Sequence, residues 1–289
     1  MTTTSKPVRP SAARPTGRAH RGVVAGPWMA ARAARAFSLF EMVVVIGLIG
    51  LLAALALPSL KMGKGNQMNA ATRQLLDDLA LARLRAINNR SQVYVVFFPK
   101  VQSYLGIPAS GAVFDFFTTN QAANHLLGSQ LAAYAIYAKR SLGDQPGQPT
   151  SRYMSEWKTL PDGVFIGNST TAVQAITNPA VFCNVFNNLP RPLEGIPFPD
   201  TTPGNPLLQL PYIVFNEQGR IAPAAGQVLD ILIPLATGSL LGARTPTGEF
   251  QVTDIDDLET PRFNSVNNSN VVAISLQTGR ARVKRQELP

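Results

Sequence analysis

The stretch Phe37 to Leu57, FSLFEMVVVIGLIGLLAALAL, constrains this chain more than any other. It is apolar throughout except for Ser38 and a single charge, Glu41. At about 1.5 Å of rise per residue, one helix of this length predicts a crossing of a hydrocarbon core of roughly 30 Å. A carboxylate inside such a segment is costly, roughly 2.5–3.5 kcal/mol near the helix centre and less near an end. Either the segment is a plain anchor whose apolar run begins at Met42, or Glu41 meets a positive partner there. A third reading takes Ala54-Leu55-Ala56 as a small-x-small signal peptidase site that releases a protein starting near Leu57. It ranks lower, because an ordinary signal segment is shorter and has no reason to contain Glu41.

Residues 1–36 hold Lys6, Arg9, Arg14, Arg18, Arg21, Arg32 and Arg35 and no acidic residue. This is a basic leader, cytoplasmic by the positive-inside rule. It is long, and Met29 is an alternative start. The whole chain carries +9, and removing the leader's seven positive residues leaves +2. The basic character is therefore mostly a property of the leader and does not argue that the rest binds nucleic acid.

Beyond Pro58, the glycines Gly63 and Gly65 weaken helical pattern. The pattern resumes over Asn69–Asn89, with Asn69 as N-cap, Leu75, Leu79, Ala82 and Ala86 on one face, and Leu76 and Ile87 widening it. Arg73 and Asp77 are spaced to pair on the exposed side. Gln92–Pro99 is the first strong strand, rich in β-branched and aromatic residues. Further strands are expected at Tyr134–Lys139, Gly163–Ile166, Ala180–Phe186, Tyr212–Asn216, Val228–Ile233 and Val271–Gln277. Loops are expected at Gly143–Pro149, Leu189–Pro206 and Thr245–Gly248, with turns at Asn216–Gly219 and Thr278-Gly279.

Chemistry-bearing residues are sparse. Cys183 is the only cysteine, which excludes an internal disulfide, and its strand-like setting reads as core. His125 is the only histidine after the leader and sits in a polar stretch with no catalytic or metal spacing around it. No nucleotide loop, zinc spacing or nucleophile elbow is present. Asp254, Asp256, Asp257 and Glu259 form an acidic run without the spacing or glycine of an EF-hand calcium loop; they read first as a solvated loop, with calcium binding as the minority alternative. No catalytic residue, metal or cofactor is expected.

Ala36-Phe37-Ser38-Leu39-Phe40-Glu41 resembles the processing motif of type IV prepilins and type II secretion pseudopilins, with Ala36 where glycine is usual and Pro58 matching the family's helix proline. The resemblance implies cleavage between Ala36 and Phe37 by prepilin peptidase and N-methylation of Phe37. It also implies that Glu41 pairs with the freed amine of a neighbouring subunit, strongly so in a low dielectric. The segments Ala71-Thr72-Arg73, Ala82-Arg83 and Arg85-Ala86-Ile87, running into the strand at Gln92, resemble GspH/FimT-type minor pseudopilins. Trp157–Val164 resembles the same domains. The phrase LLDDLALARLRAINNR before VYVVF is similar to the Verru_Chthon cassette protein D prepilins.

The C-terminal run Gly279-Arg280-Ala281-Arg282-Val283-Lys284-Arg285 resembles the tail of DNA-binding FimT proteins. Alternation would put Arg280, Arg282 and Lys284 on one strand face, where a row of charges with Arg285 would neutralise phosphates. Basic residues also guard edge strands against aggregation, and that reading ranks ahead of DNA binding.

The expected fold is α+β: a long N-terminal helix, transmembrane in its first half, then a β-rich pseudopilin-like head. The divisions are a removed leader at 1–36, a transmembrane or filament-core helix at 37–57, its continuation at 58–90 and the head at 91–289. The resemblance implies a non-enzymatic minor pilin or pseudopilin whose partners are prepilin peptidase, other pilin subunits and the inner membrane. It would be single-pass, with a cytoplasmic N-terminus and the head outside. A DNA-uptake pilin and a tethered accessory protein outside any filament stay open as alternatives.

Overall fold

The computed structural model describes residues 38–61, 63–140, 144–145, 148, 150–167, 183–184, 186, 195–222, 230–267 and 270–285. Helix α1 spans Leu39–Lys61 and helix α2 spans Gly63–Asn89. The chain divides into two units within α1, between Ala54 and Leu55.

In the N-terminal unit Ser38 caps α1. Its Oγ accepts the Glu41 backbone N–H at 3.2 Å, and its carbonyl accepts that of Met42 at 3.2 Å. Ser38-x-x-Glu41 is thus the capping-box spacing, and Glu41 lies in the first turn, where the helix dipole favours a carboxylate.

The expected architecture and the single-pass placement are corrected here. Among the described residues no helix is long and apolar enough to cross a membrane. Beyond α1 and α2 the described chain is mostly β-sheet with short helices.

In the second unit α2 is the organising element. Leu75, Leu79, Ala82 and Ala86, the face expected from their spacing, are all buried, and so is Ala71. The helix starts earlier than Asn69, taking in Gly63 and Gly65, because its packed face outweighs two poor helix formers. No ion pair joins Arg73 to Asp77 among the described residues, and both are exposed.

The α2 face packs on two sheets. The first has the order β3-β2-β1-β9, formed by β1 (Val93–Phe97), β2 (Ala133–Ala138), β3 (Arg152–Tyr153) and β9 (Tyr212–Phe215), with β4 (Lys158–Thr159) also on β2. The second is built on β10 (Ile231–Leu241), which pairs with β5 (Val164–Ile166), β6 (Cys183–Asn184), β11 (Asp256–Glu259) and β12 (Asn270–Ile274). Strand β13 (Ala281–Arg285) pairs with β12. A two-stranded piece, β7 (Ile196–Pro197) with β8 (Leu207–Leu208), lies apart.

Val93, Val95 and Phe97 of β1 join the core under α2, together with Ile231, Ile233 and Leu235 of β10. Tyr94 and Val96 point the other way, into a second core with Phe98, Phe117, Phe198 and Leu127. That core is closed by α3 (Ala112–Thr119) and α4 (Gln121–Leu127). Every residue of β1 and β2 is therefore buried, so these strands read as unbroken apolar runs.

Polar contacts fix α2 in place. Asp78, buried, accepts from the Tyr134 hydroxyl at 2.7 Å and from Lys158 Nζ at 2.6 Å. Gln74 Nε2 donates to the Tyr134 hydroxyl at 3.0 Å and to the Thr159 carbonyl at 2.9 Å. Burial, reinforced by Asp78, raises the Tyr134 phenol well above its ordinary pKa, so the hydroxyl stays a donor. Arg83 Nε donates to the carbonyls of Gly219 at 3.0 Å and Thr278 at 3.1 Å, while Arg85 Nη1 donates to that of Met154 at 2.8 Å.

Candidate assembly surfaces

Three surfaces stand out, and the first two carry the expected functional residues. The first is α1. From Leu39 to Leu52 it presents apolar side chains on every side: Leu39 is 83% exposed, Val45 45%, Ile46 67% and Leu52 58%. A helix that is apolar all round is stable only when buried in something larger. Glu41 is the only charge between Leu39 and Leu52, and it is exposed. Ala36 and Phe37, the expected cleavage and methylation positions, lie outside the described residues. Sequence reasoning missed the capping contact of Ser38, although the Ser-x-x-Glu spacing signals it.

The second surface is the C-terminal row. Gly279, buried, turns the chain at φ +64°, and β13 follows as a strand that, among the described residues, pairs on one side only, to β12. Arg280 precedes the strand and is exposed; Arg282 and Lys284 are exposed on one face of it. Ala281 and Val283 alternate with them, and Ala281 packs against the core. Arg285 ends the strand, and only its backbone is described. Among the described residues neither Arg282 nor Lys284 enters an ion pair.

The third surface is a groove of about 550 Å³ between α4 and the β3–β4 segment. Leu126, Met154, Tyr153 and Trp157 form its apolar wall; His125, Glu156 and Asp200 stand on it as polar groups. Tyr153 donates its hydroxyl to the Pro197 carbonyl at 2.7 Å, and Trp157 donates Nε1 to that of Pro199 at 2.7 Å. Burial first, then Tyr137 and Asp200, holds the Tyr153 phenol well above its usual pKa. His125 is exposed at the groove's edge. The groove was not legible in the sequence, because its wall joins residues from three separate segments.

The acidic run is not a solvated loop. Asp254 accepts the backbone N–H of Gln102 at 2.7 Å and of Ser103 at 3.0 Å. Asp257 pairs with Lys100 at 2.6 Å, and Glu259 accepts from the hydroxyl and backbone N–H of Ser265. Each of these three carboxylates is thus spent on a different partner. Among the described residues no three His, Cys, Asp or Glu side chains are placed to hold a metal ion. Cys183 falls in β6, opposite Ile231, and its side chain lies outside what is described.

No protein-family model, no curated protein and no solved structure matches this chain.

Proposed function

We propose that this chain is a structural subunit, a minor pilin or pseudopilin, of a type IV pilus-like or type II secretion filament. The observation that supports it is α1. A helix exposed and apolar on every side, with one carboxylate in its first turn, needs a bundle of neighbouring helices to bury it. Cleavage after Ala36 would place the amine of Phe37 one residue before the Ser38 cap, so each α1 would bring a positive end and Glu41 into that bundle. In the low dielectric between helices the amine of one subunit and Glu41 of the next attract strongly.

The first test is processing. The native chain is expected to begin at an N-methylated Phe37, read by mass spectrometry of its N-terminal peptide. A mature chain beginning near Leu57 would replace this reading with a secreted protein.

The second test separates the charge of Glu41 from its cap. Glu41→Gln removes the charge and keeps a side chain suited to the capping box, whereas Glu41→Ala removes side chain and charge together; the Ser38 Oγ contact to the backbone N–H of residue 41 survives in either. Both variants are expected to be cleaved normally and to be depleted from sheared filaments to a similar degree, by immunoblot. Normal incorporation of Glu41→Gln would show that the charge of Glu41 has no role in assembly and leave the residue only its capping-box position.

A further inference from the structure

We infer that the groove between α4 and β3–β4 receives the basic C-terminal row of a second copy of this chain. This contact rests on the filament reading for its meaning and on the body's own geometry for its evidence. The Tyr153 hydroxyl and the Trp157 N–H are both already donated to backbone carbonyls, so neither ring has a free polar hydrogen to offer the groove. Aromatic faces are negative, and cations over them gain roughly 0.5–2 kcal/mol. Glu156 and Asp200, both exposed, add carboxylates to the same wall. Asp200 Oδ1 also accepts from Thr202 N–H at 2.8 Å and Asn205 Nδ2 at 2.8 Å, which fixes its position and leaves its charge. The groove selects an arginine or lysine.

The chain offers a matching surface: Arg280, Arg282 and Lys284, exposed at the strand that ends the sheet. The two surfaces cannot meet within one molecule. Arg83 reaches the Thr278 carbonyl, at the start of the basic row, and Arg85 reaches the Met154 carbonyl, in the groove wall. Two residues apart on a helix is about 200° of rotation, so row and groove flank α2 on opposite sides. A surface that fits a different surface of the next copy is a head-to-tail contact, which builds a ring where the rotation closes and an open filament where it does not.

The test is carbodiimide coupling of the purified full chain in mild detergent, using a mixture of ¹⁵N-labelled and unlabelled copies. Inter-chain peptides joining Lys284 to Glu156 or Asp200 are expected. Arg282→Glu should lower their yield roughly five-fold, because it exchanges an attraction for a repulsion. Mixing unlabelled Arg282→Glu with labelled Glu156→Lys should restore the product between Lys284 of the first and Asp200 of the second. Coupling of Lys284 spread evenly over other carboxylates, or unaltered by Arg282→Glu, overturns the contact. Retention of the chain on duplex DNA at low salt, with loss of the coupled peptides, assigns the row to phosphate instead. The cleavage site is read separately, so failure of the filament reading and failure of this contact are distinct results.

Discussion

Gly279→Ala is expected to destabilise the folded body by about 3 kcal/mol, a large share of the roughly 5–15 kcal/mol that holds most domains together. Two costs combine. At φ +64° a Cβ meets its own backbone, which costs roughly 1–2 kcal/mol. The same Cβ would fall inside the van der Waals shell of the Gly219 carbonyl oxygen and press on Arg220 Cα at 3.3 Å, and backbone gives way less readily than a side chain. That carbonyl also accepts from Arg83, so moving it breaks the tie between α2 and the turn. Gly106 provides the control. Its φ is +68°, and nothing lies within 4 Å of an added Cβ, so Gly106→Ala should show only the conformational cost of roughly 1–2 kcal/mol. Urea unfolding of both variants in a Trp28→Phe background leaves Trp157 as the only tryptophan reporter. Equal costs at the two glycines would mean that the close approach to Gly219 carries no energy. The difference bears on assembly, because Gly279 sets the direction in which Arg280 and the rest of the basic row leave the core.

What the sequence made legible follows from how many faces each element buries. Strand β1 is covered by α2 on one side and by α3 and α4 on the other, so VYVVF is a continuous apolar run with one interpretation. Strands β2 and β9 read equally well, and the buried face of α2 follows from its spacing. Strand β10 was expected to stop at Ile233 but runs to Leu241. Its second half, Pro-Leu-Ala-Thr-Gly-Ser-Leu-Leu, has low strand propensity, and Gly238 is needed there because the Leu258 carbonyl approaches too closely for a side chain. Strand β11, Asp-Asp-Leu-Glu, has little strand character. Its pairing with β10 and the contacts of Asp257 and Glu259 hold it extended, and these are tertiary effects.

The same logic explains the site. Helices α3 and α4 are too short for a clear helical period. A local signal for α4 existed, since Asn120 caps it by accepting the Ala123 N–H at 3.0 Å. The exposed α1 was legible as an apolar run, and its charge Glu41 stood out. The single span was overread: the apolar run suggested one crossing helix, whereas the structure holds no described helix that meets that requirement. The groove depends on Tyr153, Trp157 and Asp200 converging across more than forty positions, a relation that periodicity does not encode.

Phe98→Ala should cost the body roughly 3–5 kcal/mol, as large-to-small changes at fully buried aromatic sites do. Phe98 has no exposed surface and stacks on Phe198 at 5.1 Å between ring centroids. It also meets Phe117 at 6.4 Å and the edge of Trp157 at 6.0 Å. Three rings therefore lose a partner at once, and each aromatic pair is worth about 0.5–1.5 kcal/mol beyond its burial. These terms overlap with the cavity cost and do not simply add. The backbone of Phe98 is bound on both sides, donating to Ala133 at 2.9 Å and accepting from Leu131 at 2.8 Å, so the chain is held against collapse into the space. Phe98→Leu should cost less, since part of the volume is kept. The effect should also reach the groove, because Trp157 rests on Phe98 and Phe198. In the Trp28→Phe background, Phe98→Ala should shift the emission of Trp157 to longer wavelength before unfolding, together with a lower urea midpoint at an unchanged slope. If the midpoint falls while the emission stays fixed, Trp157 is held by the Pro199 carbonyl and the surrounding segment alone, and the aromatic stack does not shape the groove.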